Sequence, residues 1–124
     1  MQFDNSSQAI YLQIVAYVCE RILLKEWQSN KKIPSVREMA VQLEVNPNTV
    51  ARSYDFLKQQ EIIYDKRGIG YFVAENGIQQ ALNYRKQEFA DKELPSIFKT
   101  MYLLGLETKD LKDQYEKFKN QYNK

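Results

Sequence analysis

Histidine is absent from this chain, and cysteine occurs once, as Cys19. The first absence removes imidazole general-base chemistry, Ser/His triads and the commonest zinc-ligand sets together. The second excludes an internal disulfide and suits a reducing compartment, and the apolar neighbours Val18 and Ile22 point to a packed thiol rather than a reactive one. Glycine and proline are scarce, at four and three in 124 residues, so no glycine-rich loop is left to cradle a phosphate. There is no internal repeat or low-complexity stretch. No apolar run approaches the roughly 18 residues of a membrane span, and the N-terminus lacks a signal-like apolar core, so a cytoplasmic protein without a membrane is expected. Charge of either sign is not in excess: residues 1–74 hold nine Lys/Arg against eight Asp/Glu, residues 75–124 hold the same, and the net is +2. Any case for nucleic acid must therefore rest on where individual cations sit.

What is present is 44% hydrophobic, enough for one domain with a real core, or for one compact domain and a small appendage. Pro34, Pro47 and Pro95 stand at or just before helix starts, Gly68 and Gly70 share a short turn, and Gly77 and Gly105 lie at element junctions. Ile10, Ile14, Tyr17, Val18 and Ile22 recur at helical spacing and predict a first helix over about residues 7–27, followed by a polar stretch at 28–32. Ser35 and Glu38 form the S-x-x-E capping box of a second helix that buries Met39, Ala40 and Leu43. Asn46 caps a third helix, with Pro47 at the first helical position and Val50, Tyr54 and Leu57 along one face. After Gln60 the period changes, and two short strands at 62–65 and 71–74 flank a loop at 66–70. Helical spacing resumes at Ile78. Ile78, Leu82, Arg85 and Phe89 share a face, as do Ile97, Met101 and Leu104, and then Leu111, Tyr115, Phe118 and Tyr122; Pro95 breaks or kinks this region and Gly105 closes a helix.

The expected fold is mainly α with a small β-hairpin. Three helices, the last two joined by a tight turn and followed by a hairpin, give the order of a winged helix-turn-helix, whose second paired helix lies in the major groove. At about 100° per residue, Asn48, Arg52 and Asp55 point outward from the third helix, with Thr49 and Ala51 flanking. An Arg can read G through O6/N7 and an Asn can read A through N6/N7. The free N–H groups of the first turn beside Asn46 favour a phosphate, and the Thr49 methyl and Ala51 suit thymine methyls. Arg37 stands in the first turn of the second helix beside Ser35, where the helix dipole does not help it and a phosphate would. Lys66 and Arg67 sit beside Gly68 at the hairpin tip, which is thin enough to enter a minor groove. Each of these has a plainer use as a cap, a surface ion pair or a solvated tip. It is the four loci together that point to DNA.

The stretches AIYLQIVAYVCERI and IPSVREMAVQLEVNPNTVARSYDFLKQQEIIYDKRGIGYFVAE closely resemble the DNA-binding domain of GntR-family bacterial transcriptional regulators over about residues 8–76. P-S-x-R-E-x-A, N-P-N-T-V and R-G-x-G-x-F-V are specific in combination. The short C-terminal part, residues 77–124, resembles the YtrA-like subfamily, which carries only a small helical dimerisation segment there. The resemblance implies a dimeric winged-helix repressor on a palindromic operator, with the recognition helix 46–60 in the major groove and the wing 65–71 in the minor groove. Carried over by position, its DNA contacts fall on Arg37, Asn48, Thr49, Arg52, Arg67 and Gly68; Ser35, Asn46 and Lys66 complete the candidate DNA-binding set. Two departures stand out: Glu44 replaces the glycine usual in the turn between the helices, and Ala51 replaces a second arginine found in many relatives.

Ile97, Met101, Leu104, Leu111, Tyr115, Phe118 and Tyr122 carry more apolar surface than two thin helices can hide, so they are the candidate dimerisation residues unless the first domain covers them. A second reading, a winged-helix adaptor that binds protein and not DNA, is left open. An enzyme is not expected, since there is no histidine, no phosphate loop and no clustered carboxylate pair, and no cofactor is implied. Tyr84, Phe89, Phe98 and Tyr102 could line a pocket for a small-molecule effector, although helix packing is their simpler use.

Overall fold

A computed structural model describes residues 8–123. The chain forms two compact units, one running to Lys86 and one from Gln87 onward. In the first, α1 (Ile10–Leu23) buries Ile14, Val15, Val18, Cys19 and Ile22. Ile10, expected on this inward stripe, is instead 48% exposed. The helix also stops short of residue 27, because Lys25 turns to φ 63° and the Arg21 carbonyl accepts from the N–H groups of both Glu26 and Trp27. Trp27 thus reaches the core from a turn. The expected start at residue 7 lies outside the described residues.

Helix α2 (Val36–Leu43) opens on the expected capping box: Glu38 N donates to Ser35 Oγ at 3.1 Å, and Ser35 N donates to Glu38 Oε1 at 2.8 Å. It ends at Glu44, which adopts φ 56°, ψ 49°, while Val45 N donates to the Ala40 carbonyl. The turn therefore keeps the left-handed geometry for which glycine is suited, with a glutamate in it. Helix α3 (Pro47–Gln59) begins at Asn46 and buries Val50, Ser53, Tyr54 and Leu57. A hydrophilic Ser53 in this stripe was not expected; its hydroxyl, wholly buried, donates to the Tyr11 carbonyl at 2.8 Å, with the Thr49 carbonyl 3.1 Å away.

Strands β1 (Ile63–Lys66) and β2 (Gly70–Val73) pair antiparallel, Ile63 opposite Val73 and Lys66 opposite Gly70, so each differs by one residue from the expected span. The polar stretch before α2 also joins this sheet. Asn30 N donates to Val73 O, Val73 N to Lys31 O, and Ile33 N to Tyr71 O. Its polarity concealed an edge segment in which Asn30, Lys31 and Lys32 face water while the backbone pairs and Ile33 enters the core. Tyr54 ties these parts together. Its hydroxyl donates to the Pro34 carbonyl at 2.7 Å, and its ring meets that of Tyr71 edge-on at 4.8 Å. Burial pushes this hydroxyl above its ordinary range, so it remains a donor. Burial likewise pushes the Cys19 thiol up to about 12, which leaves it inert.

Helix α4 (Gly77–Glu88) buries Gly77 and Ala81, not a face through Leu82 and Phe89; Phe89 is exposed. Gly77 is there for space: a Cβ would come within 2.7 Å of both the Ile62 carbonyl oxygen and Val73 Cγ1. The break between the two units falls within α4, after Lys86 and so beyond 76/77, because Ala81 still belongs to the first core. In the second unit a π turn (Phe89–Glu93) leads into α5 (Leu94–Leu104), where Pro95 occupies the helix start. Gly105 closes α5 at φ 69°, and a 3-10 turn (Thr108–Leu111) precedes α6 (Lys112–Tyr122). Among the described residues no helix is long and apolar enough to cross a membrane.

Candidate nucleic-acid interface

The N-terminal half of α3 is fixed before anything binds to it. Asn46 Oδ1 accepts from Asn48 N at 2.8 Å, and the Asn46 carbonyl accepts from the N–H groups of Thr49 and Val50. These contacts correct the expectation of free first-turn donors for a phosphate: Pro47 has no N–H, and Asn46 takes those that follow. What remains at this end is the helix dipole and the side chains. Asn48 and Arg52 are exposed one turn apart, Thr49 and Ala51 are half-buried beside them, and Asp55 is exposed. Among the described residues Arg52 makes no ion pair with Asp55.

Arg52 instead lies over the ring of Tyr11, its guanidinium carbon 3.8 Å from the ring centroid. Such a contact at an exposed site contributes about 0.5–1 kcal/mol. Ala9, Ile10, Tyr11, Asn48, Thr49 and Arg52 together line a shallow cleft of about 270 Å³ between the starts of α1 and α3. Sequence reasoning missed Tyr11 here, and the one available signal was a large aromatic residue lying off the buried stripe of α1.

Ser35 is half-exposed, and its oxygen serves the cap while its hydroxyl also stabilises the Glu38 carboxylate. Arg37 is exposed and, among the described residues, has no acidic partner. In the wing, Tyr64 and Phe72 stack across the strands at 5.5 Å, and Lys66 Nζ lies 4.9 Å from the Phe72 centroid. Lys58 pairs with Asp65 at 3.1 Å, which ties β1 to α3 and holds the lysine above its ordinary pKa through that hydrogen bond. Arg67, Gly68 and Ile69 stand exposed at the tip, where Gly68 takes φ 79°. The contacts of Tyr54 with Pro34 and Tyr71, and the surface ion pair of Lys58 with Asp65, therefore tie α3 to the segment before α2 and to the wing, the parts that bear the candidate DNA-binding residues.

In the second unit, Ile97, Leu104, Tyr115, Phe118 and Tyr122 are exposed, Leu111 is half-buried, and Met101 is already buried. Phe118 and Tyr122 stack at 5.6 Å, and Lys119 lies 4.8 Å over Tyr115.

A helical pair presenting an exposed, capped recognition helix, with a β-hairpin pinned to it, defines a winged-helix transcriptional regulator that binds DNA. The chain belongs to the gntR family of bacterial regulatory proteins, whose family model matches residues 10–73. It is 36% identical over 114 residues to the HTH-type transcriptional regulator YhcF of Bacillus subtilis (strain 168), covering 92% of this chain and 93% of that protein. It is 33% identical over 112 residues to the HTH-type transcriptional repressor YtrA of the same organism, covering 90% and 85%. A solved GntR family transcriptional regulator from Listeria monocytogenes is 34% identical, with a TM-score of 0.76 over 93% of this chain and 98% of that one.

Proposed function

We propose that this chain is a transcriptional repressor that binds a palindromic operator in the cytoplasm as a homodimer. Residues 8–76 carry the DNA contacts and residues 77–124 the dimerisation. The observation that carries this reading is the exposed pair Asn48 and Arg52 on a helix whose start is fixed by Asn46. Arg52 and Asn48 read base edges in the major groove, with the Thr49 methyl beside them. Ser35, Arg37 and Asn46 face the phosphate backbone, and Lys66, Arg67 and Gly68 enter the minor groove.

Repression is supported by the likeness to YtrA, named a transcriptional repressor. A dimer is supported by the apolar side chains that the second unit leaves exposed, chiefly Ile97, Leu104, Tyr115, Phe118 and Tyr122, with Leu111 half-buried and Met101 already buried. A two-fold pair places two recognition helices on half-sites about one helical turn apart. Fluorescence anisotropy on a duplex selected from a randomised pool tests the reading. Tight binding that weakens steeply with salt is expected, and undetectable or salt-insensitive binding would instead favour an adaptor that binds protein. Arg52→Ala is expected to cost ~1–3 kcal/mol at one base position, whereas equal weakening on every sequence would leave Arg52 only a phosphate contact.

A further inference from the structure

We propose that Tyr11 is a positioning residue for base recognition, its ring acting as the platform that holds the Arg52 guanidinium in place before DNA arrives. The inference rests on the reading of Arg52 as a base contact. An arginine has several rotatable bonds, and a free one loses that freedom on binding. Here the guanidinium already lies 3.8 Å above the Tyr11 ring, which leaves its N–H edges for an acceptor pair.

The platform is itself held. The Tyr11 carbonyl accepts from the buried Ser53 hydroxyl, one residue after Arg52, so backbone and side chain of Tyr11 are both registered against α3. The ring meets Phe56 edge-on at 6.4 Å, and Phe56 meets Tyr84 edge-on at 5.3 Å. Three aromatic rings in series thus run from the first core to the base of Arg52. Asn48 and Thr49 share the cleft with Tyr11, so the stacked guanidinium lies beside the other two side chains read as base contacts.

The test maps base preferences at every position of a duplex selected from a randomised pool, using the full chain. Arg52→Ala should flatten preference at one position by about fivefold to a hundredfold. Tyr11→Leu, which removes the ring face, should reduce preference severalfold at that same position and no other, and should add nothing in the Arg52→Ala background. Tyr11→Phe should retain the preference. If Tyr11→Leu does not fold, as read from its melting curve, Tyr11→Met takes its place. A uniform loss at all positions, an equal loss with Arg52 absent, or a gain in affinity on removing the ring would each overturn the proposal. Retained preference in Tyr11→Leu beside a loss in Arg52→Ala overturns the platform alone. No change in Arg52→Ala overturns the platform together with the Arg52 reading beneath it.

Discussion

Replacing Glu44 with glycine should stabilise the protein, although it removes a side chain. Glu44 sits at φ 56°, ψ 49°, near the centre of the left-handed region, where an L-residue is about 1–2 kcal/mol less favourable than in a right-handed conformation. Glycine removes that strain but loses more backbone freedom on folding, roughly 0.5–1 kcal/mol. The side chain is exposed, and among the described residues it makes no hydrogen bond or ion pair that would be lost. The net ranges over about 0–1.5 kcal/mol and centres on a stabilisation of about 0.75 kcal/mol, which for a unit of this size raises Tm by roughly 3–6 °C. Urea unfolding at fixed protein concentration measures it directly, as a higher midpoint at unchanged slope. Glu44→Ala is the control, since alanine keeps the Cβ and should stay within about 0.5 kcal/mol of the parent. A neutral or destabilised glycine variant, or an alanine variant that gains as much, would refute the argument from backbone strain.

Gly77→Ala should destabilise by about 1–3 kcal/mol in the same assay, because its Cβ has no room against the Ile62 carbonyl and Val73; a neutral result would mean that the start of α4 shifts freely. Glu38 is held below its ordinary value near 4.5, chiefly by the Ser35 N–H and hydroxyl, so its contribution is present above that pH and lost as pH falls through the folded value. The stability gap between the parent and Glu38→Gln should therefore shrink as pH falls below the ordinary value near 4.5, and a constant gap would remove the carboxylate from the cap. The paired substitution Leu111→Asp and Phe118→Asp should give monomers by light scattering, with much weaker operator binding, whereas an unchanged mass would place the dimer surface elsewhere.

The outline of the fold was legible because it depends on local chemistry. Ser35 with Glu38 and Asn46 with Pro47 mark helix starts through bonds closed within three residues, and the apolar spacings of α2 and α3 fix their inward faces. The outward position of Asn48 and Arg52 follows from the same helical geometry. Boundaries were less legible where the chain turns without glycine: Lys25 and Glu61 take positive φ with nothing in their side chains to announce it, whereas Asn30 does so as a residue that tolerates that region.

The edge pairing of residues 30–33 and the platform under Arg52 were decided elsewhere in the chain. Lys31 and Ile33 pair with β2 about forty residues on, and Tyr11 meets Arg52 across a similar separation. A periodicity read along one helix records which side of it is buried, but not which residue of another element stands opposite. The sequence alone therefore determined the order of the helices, their caps and the face that α3 leaves open. Only the tertiary structure brought Tyr11 to Arg52 and residues 30–33 to β2, because those outcomes depend on side chains and carbonyls that meet only once the core has formed.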